Sequence, residues 1–123
     1  MRLITHNMLQ CHVKGCNANN FPLELQEVVL EQEDAELNED FLRNMLGKLE
    51  YDALVSTCQK LDIHDLPLTM PADAQENLEF LQTLHHVILE THIKSGNMVC
   101  PNCHHSYSIR DGIPNMLLAE HEV

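Results

Sequence analysis

Four cysteines fall into two close pairs at opposite ends of a 123-residue chain, Cys11 with Cys16 and Cys100 with Cys103. Cys100-Pro101-Asn102-Cys103 is a tight turn that can aim two sulfurs at one point. Cys11-His12-Val13-Lys14-Gly15-Cys16 is a slightly longer loop, in which Gly15 is free to take a positive φ. Four thiolates in two short-spaced pairs suit a tetrahedral zinc site. A closed four-thiolate site leaves no coordination position for water, so its metal is structural and not catalytic. The 83 residues between Cys16 and Cys100 exceed the gap inside an ordinary zinc finger. The metal would then tie both termini into one module and leave the middle as an insert.

Other chemistries are open to the same residues. Tetrahedral sulfur geometry also admits iron, and with it a redox role. Cys100-Pro101-Asn102-Cys103-His104 fits the spacing for covalent haem attachment, but that chemistry needs export, and it leaves the first cysteine pair unexplained. A thioredoxin-like redox pair lacks the surrounding βαβ pattern. His12 or His104 could replace a sulfur, although four cysteines already fill a site. The odd cysteine, Cys58, falls on an apolar helix side and is expected to be a buried core thiol. The nine histidines are expected to be hydrogen-bonded or solvent-facing. No Ser-His-Asp order, Gly-rich phosphate loop or S-adenosylmethionine signature is evident, so no catalytic residue is assigned.

The elements that must position the sulfurs follow from the apolar spacing. Residues 2–9 are a plausible short strand leading to Cys11, and residues 21–30 a second strand with an irregular start at Pro22. Residues 31–36 form an acidic loop. Asn38 is a good helix N-cap followed by Glu39 and Asp40, with Phe41, Leu42, Met45, Leu46 and Leu49 on one face. A second helix is expected from about Asp52, a loop over 62–70, and the longest helix from Asp73 to about Lys94, capped by Ser95-Gly96-Asn97. After Cys103, residues 106–110 and 113–118 form a hairpin about the turn Asp111-Gly112. The fold class expected is α+β. A zinc-ribbon-like small β domain is built from both termini (residues 1–36 plus 96–123), with an inserted helical domain (37–95).

The formal charge is −12, from 19 acidic and 7 basic residues. Nucleic-acid binding requires Lys and Arg that displace counterions, and the basic residues here are scattered singly. A stand-alone zinc-ribbon nucleic-acid-binding protein is therefore the second choice, and nucleic acid is expected to be met only indirectly, through a partner. Acidity favours a charge-complementary protein partner. No apolar run reaches membrane-spanning length, and the N-terminus carries none of signal-peptide length. Five cysteines without an export signal point to a reducing compartment, cytoplasmic and nuclear. Pro114 cannot donate into a ladder, so the last strand belongs at a sheet edge, and an apolar edge needs covering, by the insert or by a partner.

Several runs together resemble a known family. They are Met1-Arg2-Leu3-Ile4-Thr5-His6-Asn7-Met8-Leu9 leading into Cys11 and Cys16, then Cys100 and Cys103, and most specifically Tyr107-Ser108-Ile109-Arg110-Asp111-Gly112-Ile113-Pro114-Asn115-Met116-Leu117-Leu118. The chain resembles the small zinc-binding activator subunits shared by S-adenosylmethionine-dependent methyltransferases of eukaryotes and archaea, which act on tRNA, rRNA and a translation termination factor. The ending also resembles a small bacterial family without the helical insert. The match is close at both ends and covers the middle only as a helical insert.

The resemblance implies a non-catalytic subunit that forms heterodimers with methyltransferase catalytic subunits and stabilises and activates them. It implies one structural zinc ion on Cys11, Cys16, Cys100 and Cys103, with S-adenosylmethionine held only by the partner. It also implies strand pairing with that partner, by analogy through Leu3, Ile4, Ile109, Ile113, Pro114, Asn115, Met116, Leu117 and Leu118.

Overall fold

The computed structural model describes residues 1–16 and 18–116. Its centre is a four-stranded antiparallel sheet in the order β1-β2-β3-β4. The strands are β1 (Glu24–Gln32), β2 (Thr91–Val99), β3 (Ser106–Arg110) and β4 (Ile113–Pro114). Four helices accompany it: α1 (Leu3–Asn7), α2 (Glu39–Leu46), α3 (Tyr51–Lys60) and α4 (Leu78–His85). A π-helical turn, His86–Glu90, runs from α4 directly into β2.

The β1–β2 ladder runs from Glu24 opposite Val99 to Gln32 opposite Thr91. It is broken by a bulge where Glu27 has φ +54° and Gly96 on β2 has φ +143°. Gly96 allows the bulge because a Cβ there would stand 2.6 Å from Val28 Cγ1 and 2.8 Å from Val28 Cα. Asp111 and Gly112 both have positive φ, the two-residue turn expected from their sequence, and they set Arg110 opposite Ile113.

The buried apolar side chains of the helices and the sheet form one continuous cluster. Leu42, Leu54, Leu81 and Leu84 come from the helices, and Ile93, Met98, Tyr107 and Ile109 from the sheet. The N-terminal segment is stitched into this body at three places. His6 Nε2–H donates to the Leu23 carbonyl at 2.6 Å. The Asn7 side chain bonds both backbone groups of Glu50, at 3.0 and 3.1 Å. The Met1 ammonium donates to the carbonyls of Ile93 and Gly112, at 3.0 and 2.6 Å.

Three expectations are corrected. Residues 2–9 do not form a strand: Leu3–Asn7 is a helix, with only Arg2 bridged to His92. Leu3, His6 and Asn7 are its buried residues, a spacing that suits a helix and not a strand. The long helix over 73–94 is not formed either. The helix covers Leu78–His85, and from Thr91 the chain is strand paired with β1. The consecutive buried residues Val87, Ile88 and Leu89 fit a buried strand as well as a buried helix, and pairing with β1 decides the state from Thr91 onward. The sheet therefore includes residues 91–95, which the expected boundary at 95 gave to the insert. Lastly, among the described residues β4 covers Ile113–Pro114 and does not extend to Asn115 and Met116; Leu117 and Leu118 lie outside the described residues. The N-caps at Asn38 and Asn77 each accept a backbone N–H at 3.0 Å, from Phe41 and Phe80.

Candidate metal centre

The two cysteine loops meet at one end of the sheet. Cys11 N–H donates to Asn20 O at 3.1 Å, and the Asn20 amide returns bonds to the carbonyls of Cys11 (2.8 Å) and Cys16 (3.1 Å). Cys16 N–H donates to Val13 O at 2.9 Å, closing the loop over Gly15 at φ +84°. The second loop closes the same way. Cys100 N–H reaches His105 O and His104 N–H reaches Cys100 O, both at 3.0 Å, and His104 takes φ +64°.

The result is a cluster in which the four Sγ atoms of Cys11, Cys16, Cys100 and Cys103 all lie within 4.8 Å of one another, and which could hold a metal ion. Cys11 and Cys103 are 3.6 Å apart, as are Cys16 and Cys100, so each contact joins one terminus to the other. Three of the sulfurs are buried and Cys103 is exposed. All five cysteines are free thiols, and Cys58 is a buried core thiol away from the cluster. Burial pushes the Cys58 thiol up to about 11, which makes it a poor nucleophile.

Polar groups surround the sulfurs. The backbone N–H groups of Asn102 and Cys103 both point at Cys100 Sγ at 3.4 Å. The Asn102 side-chain amide donates to Cys16 Sγ at 3.2 Å. The Tyr107 hydroxyl lies 3.2 Å from Cys11 Sγ and accepts His12 N–H at 3.4 Å. Burial raises Cys100, but the N–H groups of Cys103 and Asn102 outweigh it and bring this thiol down to about 7. Cys103 is lowered by the His105 backbone N–H, yet burial and the neighbouring sulfurs carry it up to about 12. Four thiolates this close repel one another, so a cation is required before all four can form.

The residues expected to meet a partner separate into groups. Leu3 and Ile109 are core residues whose side chains point into the apolar cluster, so the side chains offered to a partner would come from the others. Ile4, Pro114 and Met116 are half-buried, with Ile4 and Met116 packed on the core, and Asn115 is exposed. Ile113 is 69% exposed on the outermost strand. Sequence reasoning did not single out Tyr107 or Asn102 as neighbours of the sulfurs. Position inside the Cys100–Cys103 turn was a signal for Asn102; none existed for Tyr107, whose hydroxyl meets Cys11 only through the fold.

Among the described residues no second group of His, Cys, Asp or Glu is arranged to hold a metal, and no helix is long and apolar enough to cross a membrane. An open cleft of about 560 Å³ beside the end of α2 is lined by Leu46, Met70, Pro71 and Ala74 with Asp73 and Glu76, which offers carboxylates but no nucleophile–base pair.

The Trm112p-like protein family matches residues 2–112 of the chain. The chain is 41% identical over 125 residues to the Arabidopsis thaliana multifunctional methyltransferase subunit TRM112 homolog A, covering all of both. It is 40% identical to the Schizosaccharomyces pombe multifunctional methyltransferase subunit trm112 and 36% identical to that of Saccharomyces cerevisiae, again over the whole of each chain. Among solved structures it shares its fold with a chain of the E. cuniculi Mtq2–Trm112 complex, which is responsible for methylation of the eRF1 translation termination factor. The TM-score is 0.56 at 19% identity, over 95% of each chain.

Proposed function

This chain belongs to the Trm112p-like family, and on that premise we propose that it is a non-catalytic, zinc-bearing subunit of methyltransferases. It pairs with a catalytic chain that holds S-adenosylmethionine and the substrate, and it activates that chain by stabilising it. The substrates of the pairs are tRNA, rRNA and translation termination factor. The observation that carries this reading is end-to-end similarity to proteins named as methyltransferase subunits.

The donor set fits zinc. Zinc–sulfur bonds of ~2.3 Å in a tetrahedron separate the sulfurs by ~3.8 Å, and the two cross-terminal pairs here lie 3.6 Å apart. Zinc in such a site supplies charge neutralisation and a cross-link. The protein's own residues do the rest, holding the loops in register and presenting the β4 edge. Metal analysis of protein made without added zinc checks the assignment; a red, iron-loaded sample would replace zinc with iron.

The two sheet edges differ. β1 exposes Glu24, Gln26, Glu27, Glu31 and Gln32 around a single exposed apolar residue, Val29, and carries the bulge, devices that discourage another strand. β4 offers exposed Ile113 beside Pro114, Asn115 and Met116, with Ile4 completing the surface we assign to the partner. The chain works in the cytoplasm and nucleus as the smaller half of a heterodimer. Co-expression with candidate methyltransferases tests the function: their soluble yield and activity should rise several-fold with this chain, and equal yield and activity without it would end the proposal. Ile113→Asp should keep its metal and lose the complex, as read by co-purification; normal pairing of this variant would move the interface elsewhere.

A further inference from the structure

We propose that Tyr107 is a positioning residue of the metal centre, whose phenol donates a hydrogen bond to the Cys11 thiolate and holds the bound ion against release. This rests on the reading that the four cysteines bind a metal. Tyr107 is only 1% exposed and lies in β3, on the C-terminal side of the centre, whereas Cys11 comes from the N-terminal loop. Its oxygen accepts the His12 backbone N–H at 3.4 Å, which occupies the lone pair facing that loop. The remaining hydroxyl direction is to Cys11 Sγ, 3.2 Å away. The ring is fixed by an edge-on contact with His105, centroids 4.6 Å apart, and a tilted one with His12 at 5.8 Å. A phenylalanine would fill the same volume without a buried hydroxyl to satisfy. The polar group has a purpose when its acceptor is an anionic sulfur, because hydrogen bonds to ionised acceptors are about twice as strong as neutral ones.

Two other sulfurs also receive donors, Cys100 from the N–H groups of its own turn and Cys16 from the Asn102 side chain of the opposite terminal segment. The bond to Cys11 also joins the two terminal segments, its partners 96 positions apart, but its donor comes from β3 and not from the cysteine turn. Loss of the phenol should leave the Cys11 sulfur more electron-rich and its loop less tightly held. Outer hydrogen-bond partners of metal ligands typically contribute about 10–100-fold in metal affinity.

The test uses full-length Tyr107→Phe beside the unaltered protein. Zinc transfer to a chromogenic chelator should be roughly 10–100-fold faster in the variant. In Co²⁺-substituted protein the sulfur-to-metal charge-transfer band should move to lower energy, a signature that altered packing alone would not produce. Equal transfer rates with an unmoved band overturn the proposal. Should Tyr107→Phe fail to fold, 3-fluorotyrosine introduced into a Tyr51→Phe background labels position 107 alone, since the chain has two tyrosines. Its more acidic phenol should move the band to higher energy, and an unmoved band again overturns the idea. If the unaltered protein binds neither Zn²⁺ nor Co²⁺, the metal reading itself falls and the proposal with it.

Discussion

A single buried imidazole shows how tightly the N-terminal segment is built in. His6 is 2% exposed and donates from Nε2 to Leu23 O. Burial lowers its pKa from 6.5, only partly opposed by that backbone hydrogen bond. A base whose folded pKa is depressed binds more protons when unfolded. Its contribution to stability is therefore complete above the unfolded value and falls as pH drops below about 6.5. His6→Gln should flatten part of this acid dependence. Denaturation midpoints of both proteins between pH 7.5 and 5 should diverge at the upper end and converge toward the lower; parallel curves would dismiss the idea. At this scale the cysteines were legible because thiol chemistry and short spacing survive any choice of backbone. Leu3 and Ile109 were not, since whether an apolar side chain faces core or partner depends on what packs against it, and here both are enclosed by the same cluster.

The elements record the same contrast. Asn38 and Asn77 cap α2 and α4 through local hydrogen bonds, and the Asp111-Gly112 turn closes its hairpin through local torsions. Information of that kind is carried in three or four adjacent residues, so the Asn38 cap and the turn could be foreseen. The passage from α4 through the π turn into β2 was hidden, because Val87, Ile88 and Leu89 are three consecutive buried residues with no period to separate helix from strand. Long-range pairing with β1 settles its state. The pairing depends on Gly96, whose φ of +143° and contact with Val28 leave no room for a Cβ. Gly96→Ala should reduce stability by about 1–3 kcal/mol, read from denaturant unfolding. A loss of less than a few tenths would mean that the bulge can relax.

Over the whole molecule, sheet and helices share one core, and the cysteine centre caps its end with Cys11, Cys16 and Cys100 buried among the apolar side chains. A structural zinc contributes on the order of 10 kcal/mol of apparent folding energy in small modules, so its removal should be felt most where local packing is thinnest. After chelation, amide protection over residues 11–20 and 100–116 should collapse while α2 and α3 retain theirs; unchanged protection across the hairpin would deny the metal that role. The sulfur contact between Cys11 and Cys103 has a further consequence, because its partners are 92 positions apart in the chain. At 5–20 residues per second of synthesis, Cys11 waits roughly 5–20 s for Cys103 to be made. Through most of that interval the newborn chain carries the Cys11 and Cys16 thiols without their partners, and β1 without the strand that pairs with it. Ribosome-bound chains are therefore the stage at which an oxidant, a stray metal or a chaperone can intervene before the knot closes.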